Sequence, residues 1–481
     1  MTNRANNLTM HVVDPNAEFR GVSVTKLMDR AGKESCKAIL QKFPKPKKVQ
    51  IFCGGGNNGG DGFALAAELL AKKIKVAVIL AVAQSKIRTA AAKHHFARLP
   101  REVISSFSGK TKFDGDILVD ALLGIGVAGK LKPPFSKIVA KLKKSKAKLV
   151  SLDIPTGNLN PNLVIAFHSS KKSPLDPPFA KGGKRSRSAK KTSNQAKQGD
   201  SYHEIVVPIG IPKIAETHFG PGDVRVHFPK RKPDSHKNEN GRVVIIGGSR
   251  DFVGAPLFAG LGATAAGVDL VDVFVPRINF AATRKFSPNF LVHEFPDNPN
   301  FLTAKAAREV LTFAKKNKAT IVLGPGLGRN PETQKAVEFL ARNCRQSLVL
   351  DADALLSSLP KFSSKKVVLT PHSSEFRRLP KKLNAVILKK GRVDEIILGK
   401  RKRYNDTGNP ILTVGGTGDV LAGFVGGLLA RGVEPFTATG VSAFLLGLTG
   451  EKIALKSEST TPQVAAREIP KIIRQILAKK F

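Results

Sequence analysis

Short apolar runs, each closed by a glycine-rich or polar tip and followed by a helical stretch, recur along the whole of this chain. That alternation demands parallel β-sheets layered with helices, because each run needs a helix to cover its faces before the next can pair beside it. In the first half, Lys48–Cys53 and residues 74–80, 116–120 and 147–153 read as strands, with a helix over 61–73. An earlier helix over 23–41 places Leu27, Ala31, Ala38 and Leu40 near one face, as a packing helix would. In the second half the strands are expected at Arg242–Ile246, 268–275, Thr320–Leu323, 347–350, 365–369 and 385–388. At 481 residues the chain exceeds one ordinary core. The polar bridge at 229–240 divides it into domains of residues 1–230 and 231–481.

Composition excludes some classes. The hydrophobic fraction, 41%, is that of a globular protein rather than a disordered one. No apolar run reaches the roughly 20 residues that span a bilayer, and residues 1–14 lack a secretory apolar core, so no membrane role and a cytoplasmic location are expected. Cys36, Cys53 and Cys344 are far apart and fit no paired metal spacing, which leaves buried reduced thiols. Lys and Arg outnumber Asp and Glu by 79 to 37. The surplus runs through the whole chain with no Trp and only Tyr202 and Tyr404 as tyrosine platforms, so it reads as a basic solvated surface rather than a nucleic-acid groove. Residues 171–200 break the pattern with Lys, Arg, Ser and Gly, a basic insert with little to bury. Any nucleic-acid contact would come through this insert alone.

In open parallel sheets, ligands sit beyond the carboxyl ends of the strands. In the second half those ends carry Gly247-Gly248-Ser249, Gly324-Pro325-Gly326-Leu327-Gly328, Asp351-Ala352-Asp353, Thr370-Pro371-His372 and Lys389-Lys390-Gly391. Near the end, Gly415-Gly416-Thr417-Gly418-Asp419 opens a helix over 420–430. Glycines admit an anion close to the backbone, and a helix N-terminus supplies free N–H groups. Asp419 either caps that helix or acts as the general base that deprotonates a substrate hydroxyl beside a phosphoryl group. No Lys-Ser or Lys-Thr follows the glycines, so this is not a Walker A loop.

The first half has its own glycine-rich turn after a strand, Gly54-Gly55-Gly56-Asn57-Asn58-Gly59-Gly60-Asp61-Gly62, read as a tight loop ahead of a helix. Its amides suit phosphate and its Asn side chains a cation. Two later ends bring carboxylates, in Asp120-Ala121-Leu122-Leu123-Gly124-Ile125-Gly126 and Asp153-Ile154-Pro155-Thr156-Gly157. Asn58, Asp120 and Thr156 form an oxygen set for a hard cation, and Asp153 is left for acid–base work. Each Asp could equally serve a turn or a cap.

These residues resemble a known family. Residues 27–32, 55–62, 120–126 and 153–157 look like the NAD(P)H-hydrate epimerase domain, a Rossmann-like three-layer α/β/α fold. Residues 247–249, 254–256, 324–328, 350–355, 369–372 and 415–423 look like the ADP-dependent NAD(P)H-hydrate dehydratase domain, which is ribokinase-like. Both sets stand in the order of the fused bifunctional repair family. The resemblance implies epimerisation of hydrated NADH and NADPH, then dehydration of the S form at the expense of ADP, with AMP and phosphate released. It implies that Asn57, Asn58, Gly59, Gly60 and Asp61, with Gly124, Ile125, Gly126, Val127, Ala128, Gly129 and Lys130, contact the hydrate in the epimerase, and that Asp153 faces it. Asn58, Asp120 and Thr156 would hold potassium. In the dehydratase, Ala255, Gly326, His372 and Asp419 would contact the hydrate, and Lys389, Lys390, Gly391, Arg392, Val393 and Gly418 the adenine nucleotide, with Mg2+ accompanying ADP. A homo-oligomer is expected.

The chain departs from the family pattern at Thr156, where Ser is common, and at Ser373-Ser374-Glu375, where Pro-Gly-Glu is frequent; the insert at 171–200 has no family counterpart. Two other readings are open: a ribokinase-type small-molecule kinase, which would leave a stable phosphorylated product, and a non-catalytic scaffold associated with RNA.

Overall fold

The computed structural model describes residues 10–124, 130–169 and 202–479. The described chain forms two compact units, Gly21–Pro212 and Lys213–Lys479, the second of which also takes in the segment ending at Arg20. The insert at 171–200 and residues 125–129 lie outside the described residues. Among the described residues no helix is long and apolar enough to cross a membrane.

The Gly21–Pro212 unit is built on seven parallel strands: β1 (Lys48–Cys53), β2 (Lys75–Leu80), β3 (Ile104–Ser106), β4 (Ile117–Ala121), β5 (Lys148–Leu152), β6 (Leu163–Phe167) and β7 (His203–Val207). Their order, β3-β2-β1-β4-β5-β6-β7, reverses direction between β1 and β4. A crevice opens at such a switch point beyond the strand ends. The strands β4 and β6 are buried at every residue, which is why they read as continuous apolar runs. Helix Val24–Lys42, capped by Ser23 Oγ on Lys26 N, covers the sheet with the helix that follows β1.

That following helix is Asn57–Ala71, with Gly56 at its N-cap. The expected long glycine loop ahead of residue 61 is therefore a short turn at 54–56 plus the first turn of a helix. Glycine is needed there for contact rather than for looping. A Cβ on Gly59 would lie 2.0 Å from Gly54 O, and one on Gly62 would lie 2.7 Å from both Ala121 Cβ and Cys53 Sγ. The helix start is thereby pressed against the ends of β1 and β4.

The second unit carries nine strands: β8 (Arg242–Ile246), β9 (Leu270–Val275), β10 (Phe290–Glu294), β11 (Thr320–Leu323), β12 (Leu348–Leu350), β13 (Val367–Leu369), β14 (Val386–Lys389), β15 (Asp394–Leu398) and β16 (Arg401–Asn405). Their order is β10-β9-β8-β11-β12-β13-β14-β15-β16. The first seven in that order are parallel, whereas β15 and β16 return antiparallel. Helices Gly254–Ala265 and Thr417–Ala430 pack backbone to backbone on one face of this sheet, where a Cβ on Gly423 would sit 1.8 Å from Ala259 O. Both units are α/β with parallel sheets, as the alternation of elements requires.

Helix Met10–Phe19 and helix Pro221–His227 belong to this unit because a buried polar cluster holds them. Arg403, 1% exposed, forks onto Asp223 at 2.6 and 3.0 Å, and Asn16 Nδ2 donates to the same carboxylate at 2.9 Å. Asn16 Oδ1 accepts from Gly222 N, and Arg20 pairs bidentately with Asp406. Such a cluster tolerates burial because every charge in it is matched. Contacts thus place residues 10–20 and 213–228 with the later unit, unlike a division at 230/231.

Cys36, Cys53 and Cys344 are all free and buried, and burial raises each thiol pKa, so none is an exposed thiolate.

Candidate active sites at two sheet edges

In the Gly21–Pro212 unit the chemistry gathers where β1 and β4 part. Asp120 at the end of β4 is fully buried, and four donors satisfy its carboxylate. Thr156 Oγ1 at 2.7 Å and Leu122 N at 3.2 Å donate to Oδ1; Thr156 N at 2.8 Å and Ser151 Oγ at 2.9 Å donate to Oδ2. Burial pushes its pKa up, and the donors from Thr156, Leu122 and Ser151 pull against that shift. Thr156 Oγ1 in turn accepts from Leu123 N at 3.3 Å, while Leu123 O accepts from Asn58 Nδ2 at 3.0 Å. The Leu123 peptide thus links Thr156 to Asn58. Asn58 Oδ1 is buried with no hydrogen-bond partner. A buried amide oxygen left unpaired costs free energy, and a cation is one of the few groups that would satisfy it here. Of Asn58, Asp120 and Thr156, it is Asn58 Oδ1 that stands open to a metal ion, while Asp120 and Thr156 are engaged with each other and fix the surrounding backbone.

Around this set, Asn57 is exposed at the helix start, Gly59 and Gly60 are buried, and Asp61 is half-buried. Gly124 lies beside Asn58, with its Cβ position 3.6 Å from Asn58 Cβ. Asp153 follows β5 at φ +65°, a left-handed conformation uncommon for a non-glycine residue, and its Oδ1 accepts from Phe167 N at 3.4 Å. Lys130 is exposed. Ile125, Gly126, Val127, Ala128 and Gly129 lie outside the described residues.

In the second unit the rim from β8 to β14 forms the candidate site. Helix Thr417–Ala430 starts three residues before the expected 420, from Gly416 in the left-handed region at φ +96°. Asp419 thus sits in its first turn. It accepts no hydrogen bond among the described residues and performs no cap. Burial first, and the nearby Asp351 carboxylate second, push its pKa up to about 8; Lys390 pulls it down and Asp353 adds to the rise. A carboxyl whose neutral and charged forms are both accessible near neutral pH can take up a proton in catalysis.

Lys390 supplies the counter-charge. Its Nζ donates to Asp351 Oδ1 at 3.2 Å, and Thr370 Oγ1 donates to the same oxygen at 2.7 Å. Burial opposes the ammonium charge, but Asp351, Glu375 and Asp419 together hold its pKa above the ordinary lysine value. A Cβ on Gly418 would lie 3.5 Å from Lys390 Nζ, an ordinary contact distance that puts the ammonium beside the helix start. Lys389 faces elsewhere, its Nζ 2.7 Å from Glu395 Oε1 and over the Phe376 ring. Neighbours on a strand point to opposite faces, which separates the two lysines. Gly391 N donates to Asp394 Oδ1 at 3.0 Å, and Arg392 and Val393 are exposed beside it.

The remaining positions flank this centre. His372 bridges to Lys390 through the backbone, with Lys390 N donating to Pro371 O at 2.8 Å. Its ring lies 3.2 Å from Glu375 Oε1 and 2.9 Å from Ser374 Oγ. Gly326 and Ala255 meet across the β8 and β11 tips, where a Cβ on Gly326 would lie 3.1 Å from Ala255 Cβ. The sequence motifs give Asp351 no role of its own, although it stands at the tip of β12. The missing information was its pairing with Lys390, 39 residues away. Asp353, beside it, accepts from Gly328 N at 2.9 Å and holds the β11 tip in place.

Residues 243–474 match the family model described as NAD(P)H-hydrate dehydratase, and residues 24–163 match the YjeF-related protein N-terminus. The bifunctional NAD(P)H-hydrate repair enzyme Nnr of Pyrobaculum aerophilum is 34% identical, with 97% of each chain covered. The enzyme of the same name from Archaeoglobus fulgidus is 36% identical over 92% of each. Among solved structures, the ADP/ATP-dependent NAD(P)H-hydrate dehydratase of Bacillus subtilis, co-crystallized with ATP/Mg2+, aligns at 25% identity and a TM-score of 0.47. It covers 54% of this chain and 98% of that one.

Proposed function

The chain belongs to the family of bifunctional NAD(P)H-hydrate repair enzymes, and from that premise we infer how its residues divide the work. It is an enzyme with both an epimerase and a dehydratase activity on hydrated nicotinamide cofactors. The Gly21–Pro212 unit interconverts the R and S hydrates of NADH and NADPH, and the second unit dehydrates the S form with ADP. Both work as parts of one cytoplasmic repair enzyme.

For the dehydratase, the observation that carries the assignment is Asp419, unbonded and lifted to about 8 at the mouth of a glycine-rich helix start. Asp419 takes the proton of the C6 hydroxyl while the hydroxyl oxygen attacks the terminal phosphorus of ADP. The bond from that phosphorus to AMP breaks, and the amides of the 415–419 turn with the Lys390 ammonium stabilise the charge on the phosphoryl oxygens. Loss of phosphate from C6 and of the proton from C5 then restores the ring double bond. Gly391, Arg392, Val393 and Gly418 border the nucleotide, with Lys389 shaping that loop through Glu395. His372, Ala255 and Gly326 border the hydrate. Asp351 and Asp353, just past β12, would supply negative charge for the Mg2+ carried on ADP.

For the epimerase, Asn58, Asp120 and Thr156 hold potassium, and the unpaired Asn58 Oδ1 supports that choice. The ion would supply positive charge next to a substrate phosphate. Asp153 serves as the acid–base group, with Asn57 and the helix start at 57–61 binding the hydrate.

The test is incubation of mixed hydrate epimers with ADP, Mg2+ and potassium. Reduced-nicotinamide absorbance should return, with AMP and phosphate formed in equal amounts. No return of absorbance overturns the assignment, and a stable phosphorylated product would make the second unit a small-molecule kinase instead.

A further inference from the structure

Beside the meeting point of Ala255 and Gly326 lies a cleft of about 550 Å³, a volume within the range of small-ligand sites. Its walls are the tips of β8 and β11, which are bonded together through Gly248 N to Pro325 O at 2.9 Å. Neither tip is a floppy loop: Ser249 and Phe252 exchange backbone hydrogen bonds, and Asn279 Nδ2 donates to Ser249 O at 2.8 Å. The groups presented to this space are chemically mixed in a particular way. Arg250 and Arg329 bring two guanidiniums, Asp251 a carboxylate, and Phe252 and Phe301 aromatic faces. Phe252 is 53% exposed, so its ring is accessible to a ligand in the cleft. Arg250 has no ion-pair partner among the described residues, and Arg329 reaches Asp353 only at 3.7 Å. Gly328 N bonds Asp353 Oδ2, and Arg329 stands off the other oxygen, Oδ1, beyond hydrogen-bond distance.

We propose that this cleft seats the far, adenosine half of the dinucleotide substrate, with Arg250 and Arg329 gripping its phosphate. The inference rests on the dehydratase reading. The required chemistry is all present: guanidiniums match phosphate as forked donors, a carboxylate accepts ribose hydroxyls, and a ring stacks on a base. Position along the sheet assigns the occupant. The cleft lies at β8 and β11, next to the hydrate contacts Ala255 and Gly326, whereas Lys390 and the ADP loop stand at β14, with β12 and β13 between. The co-substrate ADP therefore takes the other end of the rim, and Asp419 works between the two.

Two phosphates of the substrate share this chemistry, the pyrophosphate bridge and the 2′-phosphate that NADPH hydrate alone carries. The experiment compares steady-state kinetics of the full-length enzyme with its Arg250→Ala, Arg329→Ala and doubly substituted variants, using NADH hydrate, NADPH hydrate and ADP. The double variant should raise the hydrate KM by about tenfold or more, as loss of charged hydrogen bonds does, with kcat at saturation within about twofold and the KM for ADP unmoved. An equal rise for both hydrates places the guanidiniums on the pyrophosphate. A rise for NADPH hydrate alone places them on the 2′-phosphate. Arg329→Lys should recover part of the loss, which a folding defect would not allow. Unchanged KM for both hydrates, or a rise in the KM for ADP instead, overturns the proposal. Failure of the unsubstituted enzyme to turn over either hydrate would sink the dehydratase reading itself, a separate result.

Discussion

Asp120 and Asp419 occupy equivalent places, each at the carboxyl edge of a parallel sheet beside a glycine-rich helix start, yet their surroundings differ in kind. Asp120 accepts four hydrogen bonds and is locked. Asp419 accepts none among the described residues, and burial with Asp351 lifts it to about 8. The first arrangement fixes a charge and its neighbours in position, as a cation site needs. The second leaves a carboxyl poised to exchange a proton. Sequence motif alone does not separate these cases, because each reads as an Asp in a glycine-bearing segment at a sheet edge, Asp120 ahead of its glycines and Asp419 after them. What separates them is the supply of donors: Thr156 and Ser151 converge on Asp120, whereas a lysine and two carboxylates surround Asp419.

The sharpest break of this comparison is Asp419→Asn. Dehydration should fall by about 10²–10⁴-fold, the usual contribution of a general base, while epimerisation continues; retained turnover within about tenfold would remove Asp419 from the chemistry. The same substitution should stabilise the fold at alkaline pH. The folded-state pKa of about 8 lies above the ordinary value of 3.8. The neutral form is therefore favoured in the folded state, and stability is full below pH 4 and declines as pH rises through 8. Thermal melts at pH 9 should thus show Asp419→Asn melting above the unsubstituted protein, with the gap closing in acid.

Asp120→Asn should behave in the opposite sense. One amide face now meets donors it cannot accept, at about 1–3 kcal/mol for each orphaned group. The Gly21–Pro212 unit should lose stability and its response to potassium, while dehydration of the pure S epimer is untouched. Urea unfolding with and without potassium measures this, and an Asp120→Asn protein as stable and as potassium-responsive as the parent would break the contrast.

The smallest effect concerns tuning. Dehydration should rise with pH through the Asp419 transition, since the base must be deprotonated. Lys390→Met removes a cation that lowers the Asp419 pKa, so the midpoint should move up; Asp351→Asn removes an anion that raises it, so the midpoint should move down. Shifts of about one unit are expected for charges this close in a partly buried site. Midpoints of kcat/KM against pH that stay fixed in both variants would show that Lys390 and Asp351 do not govern the base.

Much of this was legible in the sequence because parallel strands announce themselves as apolar runs with polar tips. The strands β1, β8 and β11 lie where the runs place them, and the strand-tip rule led directly to Asp120, Asp153 and Asp419. The antiparallel β15 and β16 were not seen, since their residues alternate with charges such as Glu395, Lys402 and Arg403 that look like loop. The glycines at 59, 60 and 62 read as loop formers, but they sit in a helix whose contacts with Gly54, Met28 and Ala121 no local pattern encodes. Arg403 reads as a surface charge until Asp223, 180 residues away, and Asn16 are brought beside it. Pairings of that sequence separation are fixed by tertiary packing, and a single chain of letters carries no trace of them.

The most direct trial of the account supplies the pure R epimer of NADH hydrate with ADP, Mg2+ and potassium, to the unsubstituted enzyme and to Asp419→Asn. Full recovery of NADH is expected in the first case. In the second, the S epimer should accumulate, enzyme-driven and faster than the uncatalysed exchange, while NADH forms about 10²–10⁴-fold more slowly. Recovery of NADH by Asp419→Asn at the parent rate, or failure of both proteins to convert R to S beyond the uncatalysed rate, would contradict it.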